Sequence, residues 1–101
     1  MYDISMTNER VIEALRFHDL QIEQCDPGVK AERCPTNMAP IRQVAHVRWM
    51  CKEAEGFVRE GRIEKAMRWL RFIQGALWVL GISTIEDSKR ANMPEGEEYK
   101  A

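Results

Sequence analysis

The chain has 101 residues, 45% of them hydrophobic, with 15 lysines and arginines against 16 aspartates and glutamates; this bounds it to one small domain with enough apolar content for a core. A formal net charge of -1 excludes polyanion binding through bulk basicity, and no apolar run approaches the ~20 residues of a membrane-spanning helix. Cys25, Cys34 and Cys51 are odd in number and follow no framework spacing, and the first ten residues lack the basic and apolar regions of a signal peptide, so a reduced, cytoplasmic protein is expected.

Thr7 is placed to cap a first helix from Asn8 to Cys25, with Val11, Ile12, Leu15, Leu20 and Ile22 on its buried side. Asp26-Pro27-Gly28 ends it, and residues 26–38, with two prolines and no periodicity, read as a connector. Thr36 or Asn37 can cap a second helix that tolerates Pro40 in its first turn and runs to Arg59. Its seam is Val44, Val47, Cys51, Ala54 and Val58, at steps of three and four, with Met50 and Phe57 alongside.

Glu60-Gly61 leaves only a tight link before a third helix from Arg62 to Gly81, which predicts an antiparallel helical hairpin. Ile63, Ala66, Leu70, Ile73, Leu77 and Leu80 form the seam of that helix, and Met67, Trp69, Phe72, Ala76 and Val79 form a second apolar row beside it. Such an arc is wider than one partner helix covers, so the expected architecture is an all-α bundle that self-associates through the third and first helices. Ser83 and Glu86 fit a capping box for a short last helix through Asn92. Residues 1–94 are thus expected to be a single helical domain, and 95–101 an acidic, flexible tail.

Charge is unevenly spread. Through Asp26 there are six acidic and two basic residues, and from Arg42 to Arg71 eight basic and four acidic, so the first helix and the middle of the chain should attract each other within or between subunits. No local arrangement of Cys, His and carboxylate suits nucleophilic catalysis, and His18, Cys25, Cys34 and His46 lie too far apart in sequence for a structural zinc site. The expectation is a protein without catalysis, metal or cofactor, with Cys25 and Cys51 serving as small buried hydrophobes.

The third helix carries the sharper feature. Glu64, Arg68, Arg71, Gly75 and Trp78 succeed one another on one side, with Lys65 and Gln74 at its borders. Arg68, Arg71, Gln74 and Trp78 could together grip an anionic ligand and stack its planar part, as a nucleotide requires. The plainer reading makes Glu64 and Arg68 an i,i+4 ion pair, Arg71 solvated, and Trp78 part of a subunit interface. Gly75 and Gly56 each cost about 1 kcal/mol inside a helix relative to alanine, which predicts a close backbone approach at those points. His46, Trp49, Lys52 and Glu53 mark a polar and aromatic side of the second helix suited to a partner protein. A small helical nucleic-acid-binding regulator is the alternative, although a helix spent mostly on Trp, Leu, Phe and Ile is a poor reader of base edges.

HVRWMCKEA at His46 to Ala54, EKAMRWLRFIQGALWVLG at Glu64 to Gly81 and ISTIEDSKRANMP at Ile82 to Pro94 resemble a group of small accessory proteins of tailed bacteriophages and prophages. About half the chain is covered. In that group Gly-Phe follows Arg-Trp-Leu, so Arg71 is a departure that makes the basic side more pronounced. The resemblance implies no catalytic residue; it implies a phage protein that antagonises host function or antiviral defence by sequestering a host protein or a small signalling nucleotide inside the bacterial host.

Overall fold

The computed structural model describes residues 6–34, 36 and 39–93 of the chain. Among the described residues there are four helices and no strand: α1 (Asn8–Cys25), α2 (Pro40–Arg59), α3 (Ile63–Val79) and α4 (Ile85–Asn92). They form a small all-α bundle, in which no helix is long and apolar enough to cross a membrane. The expected tail and the candidate cap Asn37 lie outside the described residues.

Local chemistry sets the helix ends. Thr7 caps α1, its hydroxyl accepting the Arg10 N–H at 3.1 Å. At α2 the expected cap gives way to Ala39, which has no side chain to contribute; its carbonyl accepts from Arg42 and Gln43, and Pro40 takes the first helical position, where a missing N–H is harmless. Gly61 and Gly81 adopt the left-handed φ values of 81° and 77° that end α2 and α3, and the N–H groups of Arg62 and Ile82 reach back to the carbonyls of Phe57 and Leu77. The capping box falls one residue later than expected. Thr84 and Asp87 exchange side-chain to backbone bonds at 3.0 Å each way, because Ser83 is buried and spends its N–H on the Leu77 carbonyl.

The core follows the seams. Val44, Val47, Cys51, Ala54 and Val58 of α2 face Ala66, Leu70, Ile73 and Leu77 of α3, all buried, and Val11, Leu15 and Ile22 of α1 close the third side. Leu20 departs from expectation and is 54% exposed; at 100° per residue it lies far around the helix from Ile22 and Leu15. Along α2 and α3, the most extensive pair in the bundle, Phe57 near the end of α2 meets Lys65 and Trp69 near the start of α3.

The acidic first helix and basic middle meet within one subunit. Arg48 bonds Asp19 at 2.7 Å and Glu23 at 3.1 Å, Lys52 approaches Asp19 at 3.7 Å, and Arg16 pairs with Glu55. Arg48 also donates to the Val29 carbonyl at 2.6 Å, and Glu32 N–H to the Ala45 carbonyl at 3.1 Å, so the connector is fastened to α2 at Val29 and Glu32. α4 has one buried side chain, Ala91, and is attached largely by polar bonds: Arg10 donates to the Met93 and Arg90 carbonyls at 2.6 and 2.8 Å, at the end of α4 where its dipole favours a cation.

Candidate functional site

The apolar surplus of α3 is confined to its second half. Ala66, Leu70, Ile73 and Leu77 are sealed, whereas Phe72 is 60% exposed, Trp78 56% and Val79 76%. These three border a groove of about 670 Å³ between α3 and the start of α2, whose opposite wall is Cys34, Gln43, His46 and Val47. The volume suits a ligand or an inserted side-chain cluster. Arg71 stands at its edge.

The four residues expected to grip an anion do not converge. Arg68, Arg71 and Trp78 are exposed on the outer side of α3, but Gln74 is buried and bonded to Asn92 and His18. Gln74 belongs to the seam because it follows Leu70 by four and precedes Leu77 by three, inside the buried arc. The i,i+4 pair of Glu64 and Arg68 is not formed among the described residues. Within the chain itself no group makes a close approach to Gly75 or Gly56: a Cβ at either would meet nothing within 4 Å among the described residues.

The expected partner surface on α2 is also divided. His46 and Trp49 stack at 5.3 Å, and Trp49 continues through Trp69 at 5.9 Å to Phe57, which Trp69 meets edge-on at 4.8 Å. Lys65 lies 4.4 Å over the Phe57 ring and Arg33 lies 5.9 Å over Trp49. Trp69 is therefore covered within the subunit. Lys52 turns away toward Asp19 of α1, and of the four only Glu53 and Lys52 are exposed. Nδ1 of His46 accepts the Cys34 N–H at 2.9 Å, which requires an uncharged ring with its proton on Nε2; burial and the nearby Arg33 both lower its pKa. The Cys51 thiol is pushed up to about 12 by burial and is no nucleophile. Among the described residues no three His, Cys, Asp or Glu side chains come together as metal ligands.

A polar chain outside the groove joins α1, α3 and α4. Asp87 accepts from Gln21 Nε2 at 3.1 Å, which turns Gln21 Oε1 toward His18 Nδ1 at 2.8 Å. His18, fully buried, must then carry its proton on Nδ1 and accept at Nε2 from Gln74 at 3.1 Å. Gln74 and Asn92 exchange two bonds, at 2.8 and 3.0 Å. Sequence reasoning missed this chain, although His18 occupies a seam position between Leu15 and Ile22.

Burial lowers the His18 pKa from its ordinary 6.5, with the Gln21 bond and the Asp87 carboxylate opposing. As pH falls below about 6.5, the unfolded chain binds a proton that the folded ring resists, so stability should drop by on the order of 1 kcal/mol per pH unit and level off above about pH 7.5. Lowered pKa values at Glu23, Glu55 and Asp87 add losses only below the ordinary carboxylate range. Urea unfolding across this range should show the slope in wild type and a shallower one in His18→Leu, the remainder coming from His46. Equal slopes would remove the assignment.

No family model, no curated protein and no solved structure matches the chain.

Proposed function

We propose that this chain is a non-catalytic binding protein, built on an α2–α3 hairpin, that acts through the exposed strip of α3 and its adjoining groove on the surface of another protein. The resemblance to phage accessory proteins makes that target a host protein whose function, antiviral defence included, is blocked when its apolar surface is covered. One observation carries the reading: Phe72, Trp78 and Val79 stand exposed together beside a groove lined mainly by apolar side chains, with Gln43, His46 and Arg71 as its polar members. Contiguous exposed apolar side chains of this kind mark association surfaces. Sequestration of a signalling nucleotide is the less favoured version, because only Arg71 and Trp78 of the expected four border the groove and Gln74 is spent internally.

Phe72→Glu separates binding from folding. The side chain is mostly exposed, so the substitution should shift stability by less than about 0.5 kcal/mol. It should abolish stoichiometric recovery of a bacterial protein from lysate on immobilised full-length chain, and weaken binding of the probe 8-anilinonaphthalene-1-sulfonate about tenfold. Unchanged recovery and unchanged probe fluorescence in Phe72→Glu would remove the proposal. A thermal shift with cyclic nucleotides that disappears in Arg71→Ala, with recovery unaffected by Phe72→Glu, would favour the nucleotide version instead.

A further inference from the structure

Gly75 sits inside the continuous helix α3 at a cost of about 1 kcal/mol relative to alanine, yet nothing described in the subunit approaches it. Its neighbours on the same side are arranged about it as about a centre. Phe72 and Trp78 lie three residues before and after, and Arg71 and Val79 four before and after, all within about 60° of Gly75 around the helix. All four are exposed.

Resting on the reading that this strip is a binding face, we infer that its occupant is a second copy of the chain, packed with the two α3 helices antiparallel across a two-fold axis through Gly75. A two-fold contact is self-complementary, so a residue preceding the axis meets the one equally far beyond it on the other copy. Phe72 of each copy then meets Trp78 of the other, and the stem of Arg71 lies along Val79. Gly75 faces itself, and the missing side chain lets the two backbones approach.

Charge supports the same arrangement. Arg68 and Arg71, which precede Phe72 by four residues and by one on α3, are exposed and have no ion pair among the described residues. Glu86 borders the same cleft as Trp78, so bringing Trp78 onto Phe72 of the other copy carries Glu86 toward that copy's arginines. The apolar centre, two aromatic pairs and two valines, is small beside the ~800 Å² per partner of a standard interface. The dimer is therefore expected to be weak and to yield the strip to a better-fitting protein.

The decisive test uses the full chain with Cys25 and Cys34 changed to serine, leaving only the buried Cys51. Gly75→Cys should oxidise to a disulfide-linked dimer, because the axis places the two thiols together, whereas Glu64→Cys, three turns away, should not. Sedimentation of the unmodified chain should show a concentration-dependent dimer, weakened at least tenfold by Trp78→Glu. Arg71→Glu should weaken it too, with partial recovery in Arg71→Glu combined with Glu86→Arg. A chain that stays monomeric at hundreds of micromolar, or equal cross-linking at both cysteine positions, overturns the second copy as occupant. If 8-anilinonaphthalene-1-sulfonate binding is nevertheless lost in Phe72→Glu, the binding face stands without it; if that is unchanged too, both fall.

Discussion

Replacing Leu70 with alanine is expected to destabilise the chain by about 3–5 kcal/mol and to lower Tm by more than about 10 °C. Leu70 is fully buried at the middle of α3, and its neighbours in the seam, Ala66, Ile73 and Leu77, are equally inaccessible. The truncation removes three carbon atoms from a site bounded by α1, α2 and α3, whose helices are fixed to one another by the Arg48 and Arg16 ion pairs and by the Gly61 turn. Little collapse into the void is available, so the lost transfer energy and the cavity both count. Phe72→Ala, two positions along the same helix, should cost under about 1 kcal/mol. Urea unfolding of the two variants, with the denaturant slope unchanged, checks the contrast; a loss at Leu70 as small as that at Phe72 would mean that the seam is not the core. A domain of this size has a total stability of about 5–15 kcal/mol, so Leu70→Ala should remove a large share of it while every residue of the groove is still present.

The periodicities of α1, α2 and α3 were legible because each buried stripe uses unbranched steps of three and four, and the helix breaks at Gly28, Gly61 and Gly81 stand where the left-handed backbone requires them. Helix starts were less so. The backbone of Ala39 replaces a side-chain cap, and Ser83 is drawn into the interior, which moves the capping box to Thr84. Both outcomes depend on where the preceding segment packs, which local sequence does not encode. For the site, the surplus of α3 could be read from its wide apolar arc, but not which end of it stays open: Trp69 is consumed by Trp49 and Phe57, contacts that need the α2–α3 alignment. Charge balance between α1 and α2 was visible as a difference in composition, yet only geometry shows that Arg48 satisfies both Asp19 and Glu23. Gln74 is the instructive case. A polar residue beside two arginines suggests a ligand contact, whereas the structure buries it in the seam between Leu70 and Leu77.

That burial makes Gln74→Leu the second large effect, a destabilisation expected at about 2–3 kcal/mol. Leucine fits the volume and adds apolar contact, but it strips His18 Nε2 of its donor and Asn92 of both its bonds to Gln74. His18 is fully buried, so its acceptor has no water to turn to; Asn92 is half-buried and recovers part of its loss. The cost should therefore exceed that of Asn92→Leu, which leaves Gln74 with His18 as a partner. In Gln74→Leu with Asn92→Leu the two losses should not add, because the reciprocal pair is counted once, and a coupling of about 1 kcal/mol is expected from the cycle. Hydrogen exchange gives the structural counterpart. α4 depends on Asn92, on Asp87 through Gln21, and on Arg10 for its attachment, with only Ala91 buried, so its amides should lose protection in Gln74→Leu before those of α2 do. Strict additivity, together with uniform loss of protection across all four helices, would show that Gln74 serves the core by volume alone and that the polar chain does not hold the last helix in place.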